Sequence, residues 1–169
     1  MKQKLIILIT ILISFSGIAQ IVEIEQQGRI APNFELEDIN GDIFELNEIK
    51  GKGPIIISFF ASICKSCRDQ TEAFSKIYNK YKEEGLVLIA ISMNDKKTVA
   101  KVKPYIRSKG YNFPVLYDTN NDAARIYYAL AIPYSVIIDK GGRVVYTHLG
   151  YMKGDEIEVN NKIKQLLRD

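Results

Sequence analysis

The strongest constraint on the fold is a nearly continuous apolar run at residues 55–60, interrupted only by Ser58, which leads directly into the segment ASICKSC. The run consists mainly of β-branched and aromatic residues, which is typical of a central strand covered on both faces. A second run of this kind covers residues 86–92. Between them, residues 65–84 carry apolar side chains at helical spacing, and Gly85 predicts the end of that helix. A strand, a helix and a second strand in this order indicate an α/β fold.

Turn signals and apolar spacing divide the rest of the chain. Asn40-Gly41 predicts a hairpin near the N-terminus, and Gly141-Gly142 predicts another near the C-terminus. The predicted elements are hairpin strands at 33–38 and 42–46, a helical stretch through Val99, Val102 and Ile106, an extended segment at 113–117, a helix at 122–130, strands at 133–139 and 143–148, and a helix at 155–168. Pro104 lies inside the helical stretch that carries Val99, Val102 and Ile106, so this helix has to kink there or restart with the proline in its first turn. This order of strands and helices predicts an α/β sandwich with parallel and antiparallel strands.

The first 19 residues have the order of a secretory signal peptide. Lys2 and Lys4 precede an apolar core, and small residues lead to a plausible cleavage point after Ala19. The core is shorter than the roughly 20 residues that span a bilayer, although an uncleaved membrane anchor remains the alternative. Both interpretations predict an exported domain at residues 20–169. No cysteine stands at the cleavage point, which disfavours a lipid anchor.

The charge pattern disfavours nucleic acid as a partner. Without the two lysines of the signal-like segment, basic and acidic residues nearly balance. The chain also has no block of five or six basic residues. The positive charge of the full chain is therefore no evidence for nucleic-acid binding.

The two cysteines of the chain, Cys64 and Cys67, follow the first long strand and begin the first long helix. Right-handed crossovers place this turn at the carboxyl edge of the sheet, where active sites tend to lie. The free amides and the dipole of a helix N-terminus lower the pKa of a thiol there and stabilise its thiolate, and Lys65 and Arg68 add positive charge. We therefore expect Cys64 to attack, and the more buried Cys67 to resolve a mixed disulfide.

Other roles for the pair are weaker. A structural disulfide suits an exported chain, but closing about four residues gives only about 2 kcal/mol, against about 3 for fifteen. Zinc needs four ligands, whereas the chain offers two cysteines and His148; copper remains open as a soft-ligand alternative. His148 has no spacing relation to the pair, so we expect a surface histidine, no metal and no cofactor. A peroxide-reducing site would have a proline and a hydroxyl residue where Ile57 and Ala61 stand.

From about Ile30 to the C-terminus the chain resembles the exported TlpA/ResA-like thiol-disulfide oxidoreductases of the thioredoxin superfamily. The resemblance rests on four segments in the right order, APNFELEDINGDIFEL, IIISFFASICKSC, YNFPVLYD and IPYSVIIDKGGRVV. It implies a thioredoxin-like fold, in which helices flank a mixed central sheet. It also implies an N-terminal β-hairpin and a central insertion.

The resemblance also implies roles for residues on two segments. Cys64 matches the nucleophile and Cys67 the resolving cysteine of the redox-active disulfide. Pro133 matches the proline that takes the cis form and faces the disulfide. Ile132, just before it, would offer its backbone to an extended substrate segment. Tyr134 could line the same groove, or it could belong to the core.

Asp95 matches an acidic position of the family that helps proton movement at the buried cysteine. The alternative is that Asn94 or Asp95 caps the following helix. Three positions depart from the family: Ile63 replaces a tryptophan, Ser58 replaces the buried acid of thioredoxin, and Lys-Ser stands between the cysteines instead of a pair containing proline. The reduction potential therefore does not follow from the resemblance.

The function implied is a periplasmic protein disulfide reductase, which remains membrane-tethered if the leader is not cleaved. Its substrate would be a protein with a disulfide or thiol pair, and its electron donor a membrane thiol protein. Cytochrome c maturation is one role that the resemblance allows. The alternatives are a thioredoxin-fold module that handles copper and a non-catalytic binding module. The direction of electron flow, the substrate and the oligomeric state stay open.

Overall fold

A computed structural model describes residues 28–169 of the chain. The signal peptide predicted at residues 1–19 lies outside the described residues. Within residues 28–169, seven strands form two sheets. The strands are β1 (Glu35–Glu37), β2 (Ile43–Glu45), β3 (Ile55–Phe60), β4 (Val87–Ser92), β5 (Val115–Tyr117), β6 (Tyr134–Ile138) and β7 (Val144–Leu149).

The main sheet has five strands in the order β5-β4-β3-β6-β7. β3 and β4 are parallel, as are β4 and β5, whereas β6 is antiparallel to both β3 and β7. All six residues of β3 are buried, as its apolar run predicts. The prediction of a mixed sheet flanked by helices is confirmed.

In the described part of the chain, four α-helices cover the sheet: α1 (Lys65–Tyr81), α2 (Val102–Lys109), α3 (Asp122–Ile126) and α4 (Asp155–Leu166). α1, α2 and α4 share one core cluster with Ile56 and Phe60 of β3. α3 and the segment around β1 and β2 share the other cluster with Ile57 and Phe59. Because neighbouring residues of a strand point to opposite faces, the two clusters lie on the two sides of the sheet.

The predicted N-terminal hairpin is present as β1 and β2. Its turn contains Gly41 at a φ of +96°, a conformation that glycine adopts without steric cost. The hairpin is attached to the edge of the main sheet, because the backbone N–H of Ile39 donates to the carbonyl of Val115 over 2.9 Å.

Several element ends differ from the sequence-based expectation. The first helix ends at Tyr81, and residues 82–84 continue as a 3₁₀ turn up to Gly85, whose φ is +100°. The helix expected at 122–130 stops at Ile126, since Tyr128 takes a left-handed conformation with a φ of 54°. Pro104 is the third residue of α2, which follows a 3₁₀ turn, so the helix restarts with proline in its first turn.

Candidate active site

The two cysteines lie where β3 ends and α1 begins, and they form a disulfide with a Cα–Cα distance of 5.2 Å. Cys64 is the N-cap residue of α1, and its sulfur accepts a hydrogen bond from the backbone N–H of Cys67 over 3.2 Å. The Ser66 hydroxyl lies 3.4 Å from the same sulfur. Because a disulfide sulfur carries no proton, the hydroxyl is the donor. Two N-terminal donors of the helix segment thus converge on Cys64.

The two sulfurs differ in their access to solvent. The side chain of Cys64 is half-buried, whereas Cys67 is 0% exposed and packs in the cluster beneath α1. An external disulfide can therefore reach Cys64 but not Cys67. This is the asymmetry that a nucleophile and a resolving cysteine require.

The cations expected beside the pair have partners of their own. Lys65 forms an exposed ion pair with Asp69 at 2.6 Å. Arg68 donates from its guanidinium to the carbonyl of Ser62 over 3.1 Å. Arg68 therefore fastens the loop that precedes Cys64, in addition to supplying charge.

A buried polar chain runs from β3 to the segment around Pro133. The Ser58 hydroxyl donates to the side-chain oxygen of Gln70 over 3.0 Å, and the Gln70 amide donates to the carbonyl of Gly150 over 3.4 Å. The N–H of Gly150 donates to the carbonyl of Pro133 over 2.7 Å. Sequence reasoning missed Gln70, which lies on the buried side of α1. The Gln70 side chain thus accepts the hydrogen bond of Ser58, the residue that stands where thioredoxin has its buried acid.

The predicted substrate-contact residues take different positions. The Ile132–Pro133 peptide bond is cis, and Ile132 is partly buried just before β6, where it packs against both core clusters, including the one that contains Cys67. Tyr134 is only 3% exposed, and its ring centroid lies 6.3 Å from that of Phe59. Of its two expected roles, the structure favours the core, since a buried ring cannot line an open groove.

Asp95 is exposed and closes the turn that follows β4. One carboxylate oxygen accepts hydrogen bonds from the Thr98 hydroxyl at 2.7 Å, the Thr98 N–H at 3.0 Å and the Lys97 N–H at 3.1 Å. These contacts make Asp95 a turn-closing residue and not a helix cap, because neither the 3₁₀ turn at Val99–Lys101 nor α2 has a side-chain cap. Its carboxylate faces solvent, whereas the sulfur of Cys67 is fully buried.

Thr98 also determines how Asp95 should titrate. The hydroxyl of Thr98 is the main cause that lowers the pKa of Asp95, and the two N–H donors add to it. Because the pKa of Asp95 is lower in the folded than in the unfolded protein, its ionised carboxylate stabilises the turn. This stabilisation is complete above the pKa of the unfolded state, about 4, and is lost as the pH falls through the pKa of the folded state. An NMR titration of the Asp95 carboxyl carbon should give a midpoint below that of ordinary aspartates. Thr98→Val should raise the midpoint; an unchanged midpoint would contradict this assignment.

His148 lies on β7 and makes neither of the hydrogen bonds to the sulfur of Cys64, which come from Cys67 and Ser66. Its Nε2 is 3.3 Å from a carboxylate oxygen of Asp155, and its ring stacks with Tyr146 at a centroid distance of 6.1 Å. Within residues 28–169, no group of three or more histidine, cysteine or acidic side chains is placed to hold a metal ion. In the same range, no helix is both long and apolar enough for a membrane span.

A C-x-x-C disulfide at the start of α1, on a thioredoxin-like sheet, defines the class as thiol-disulfide oxidoreductase. Known proteins agree with this class. Residues 27–147 match the AhpC/TSA family. Thiol-disulfide oxidoreductase ResA from Bacillus thuringiensis (strain Al Hakam) is 34% identical over 79% of this chain and 75% of that protein. ResA from Bacillus subtilis (strain 168) is 32% identical over 75% of this chain and 69% of that protein.

Solved structures show the same fold. A DsbE-type thiol:disulfide interchange protein from Chlorobium tepidum matches with a TM-score of 0.77 and 26% identity, over 83% of this chain and 97% of that one. A thioredoxin-like protein from Porphyromonas gingivalis matches with a TM-score of 0.69 and 34% identity, over 84% of this chain and 94% of that one. The chain belongs to the AhpC/TSA family and is a ResA-like thiol-disulfide oxidoreductase. Ile57 and Ala61 stand where a peroxide-reducing site has its proline and hydroxyl residue.

Proposed function

We propose that this oxidoreductase is an exported protein disulfide reductase, in which Cys64 attacks the substrate and Cys67 completes the exchange. The observation that carries the proposal is the unequal access to the two sulfurs. Cys64 is half-buried, whereas Cys67 is fully buried beneath α1. The names of the relatives support the exchange chemistry.

The exchange proceeds in two steps, the formation of a mixed disulfide and its resolution. The Cys64 thiolate attacks one sulfur of a substrate disulfide, the substrate S–S bond breaks, and its other sulfur leaves as a thiolate. The Cys67 thiol then gives its proton to solvent and attacks the Cys64 sulfur, the S–S bond between Cys64 and the substrate breaks, and the second substrate sulfur leaves as a thiolate. Both substrate thiolates can take up protons from solvent. The substrate gains two electrons, and the Cys64–Cys67 couple is left oxidised, as it is in the structure.

The residues around the disulfide suit a protein substrate. Ile132 lies just before β6, outside the strand ladder, so its backbone is the proposed docking edge for an extended segment. Ile63 is 58% exposed immediately before the nucleophile. An exposed aliphatic side chain at this position would pack against the residues that flank a substrate cysteine. The Tyr134 ring has no part in this surface.

Export and electron supply complete the proposal. The signal-like residues 1–19 would direct the domain to the periplasm or hold it on the membrane. Disulfides form in such a compartment, so a reductase there needs a continuing supply of electrons, and a membrane thiol protein is the proposed donor. Apocytochrome c is one fitting substrate, because its cysteines have to be reduced before heme is attached.

The reduction potential of the Cys64–Cys67 couple tests the direction of electron flow. The protein is equilibrated in defined mixtures of thiol and disulfide, and the oxidised fraction is measured. A value of about −250 mV or lower supports a reductase, whereas a value near about −120 mV contradicts the proposal and indicates an oxidant. Stoichiometric copper on the reduced protein, together with no exchange of small disulfides, would instead support the metal-handling alternative.

A further inference from the structure

Asn94 lies two residues after the end of β4 and is 2% exposed. Its side-chain oxygen accepts hydrogen bonds from the Ser62 N–H and the Ser92 hydroxyl, both at 2.9 Å. Its side-chain nitrogen donates to the Ser62 hydroxyl at 3.1 Å and to the Thr98 carbonyl at 3.4 Å. Because a backbone N–H can only donate, the amide oxygen has to face Ser62. The orientation of the side chain is therefore determined by its contacts.

The main partner of Asn94, Ser62, stands two residues before the nucleophile. Asn94 holds its N–H and its hydroxyl, and Arg68 holds its carbonyl. The next turn closes when the Cys64 N–H donates to the carbonyl of Ala61 over 3.0 Å. The backbone that leads into Cys64 is thus fixed from two sides, by β4 through Asn94 and by α1 through Arg68.

The anchoring has its largest consequence in the reduced protein. In the oxidised form the covalent bond to Cys67 also restrains Cys64. Reduction removes that restraint, and the position of the Cys64 sulfur relative to the first amides of α1 then depends on the loop. A thiolate is stabilised by helix N-terminal donors only while it stays within hydrogen-bonding distance of them.

We propose that Asn94 is a positioning residue for the exchange reaction, which holds Ser62 so that the reduced Cys64 sulfur stays at the N-terminal amides of α1. The inference rests on the proposed role of Cys64 as the attacking thiolate. It assigns a share of the reactivity of Cys64 to a buried amide in the loop that follows β4. Asn94 itself does not touch the sulfur.

The test is the pH profile of Cys64 alkylation in the full-length reduced protein. Iodoacetamide is the probe, and mass spectrometry identifies the modified cysteine. Asn94→Ala should move the profile to higher pH by about one unit, which lowers the alkylation rate below the midpoint about tenfold. Ser62→Ala removes the hydroxyl but keeps the N–H contact, so it should move the profile in the same direction by less.

A matched control separates positioning from a general loss of stability. Tyr127→Phe removes a 2.6 Å hydrogen bond to the Pro32 carbonyl on the opposite face of the sheet, and it should leave the alkylation profile unchanged. The proposal is overturned if Asn94→Ala only lowers the melting temperature while its profile matches wild type. If Asn94→Ala does not fold, an unchanged profile in Ser62→Ala overturns it equally. Alkylation needs no protein substrate or donor, so the result is independent of the direction of electron flow.

Discussion

Cys67→Ser should accumulate mixed disulfides with its substrates, whereas Cys64→Ser should accumulate almost none. The first variant keeps the accessible attacking sulfur and loses the group that resolves the intermediate. The second keeps only a sulfur that is 0% exposed. Both variants should reduce disulfides catalytically at no more than the background rate, because each lacks half of the couple. Non-reducing electrophoresis of each variant after reaction with a disulfide-bonded protein measures the trapped species.

Two controls sharpen this experiment. Lys76→Ala removes an exposed ion pair with Glu72 further along α1, outside the C-x-x-C segment, and it should reduce disulfides without trapping. Reducing agent should release every trapped adduct, since the link is a disulfide. Equal trapping by Cys64→Ser and Cys67→Ser would contradict the assignment of Cys64 as the attacking cysteine and Cys67 as the resolving cysteine.

The main sheet was predictable because its central strands carry the sequence pattern of full burial. Residues 55–60 have apolar side chains on both faces, and the structure buries all six. The N-terminal hairpin was predictable from Asn40-Gly41, because that dipeptide suits the backbone of the turn. The end of α3 was not, since the left-handed conformation of Tyr128 depends on its tertiary surroundings and not on a glycine.

The active site was predictable only where its chemistry lies in one short segment. The two cysteines are three positions apart, and the helical pattern that follows them predicts that they lie at the start of a helix. Asn94 and Ser62 are 32 residues apart, and Gln70 and Gly150 are 80 apart. No local pattern shows that such residues meet in the fold, and a buried asparagine differs from a capping one only through its partners.

The same limit explains Asp95 and Tyr134. Asn94 and Asp95 are neighbours in a turn, where no periodicity tells which side chain points inward; the structure buries the first and exposes the second. Tyr134 begins a strand whose residues are all buried, so alternation could not separate a groove position from a core position. In both cases the packing decided which side chain is buried and which is exposed.

Phe59→Ala should lower the free energy of unfolding by about 3–5 kcal/mol, the usual cost of emptying a large core site. Phe59 is fully buried in β3, with the rings of Tyr127 and Tyr134 at centroid distances of 6.0 and 6.3 Å. It packs in the cluster on the face of the sheet opposite the cysteines. Oxidised and reduced proteins should therefore lose the same stability. Urea unfolding of both forms measures the loss.

Equal losses in the two redox states have a further consequence. The difference in stability between oxidised and reduced forms is linked to the reduction potential, so Phe59→Ala should leave the potential at the wild-type value. Phe59→Leu keeps most of the buried volume and should cost less than the alanine variant. A loss confined to the reduced form would show that Phe59 supports the loop before Cys64. The two faces of the sheet would then not be energetically separate, and the loop before Cys64 would depend on Phe59 as well as on Asn94 and Arg68.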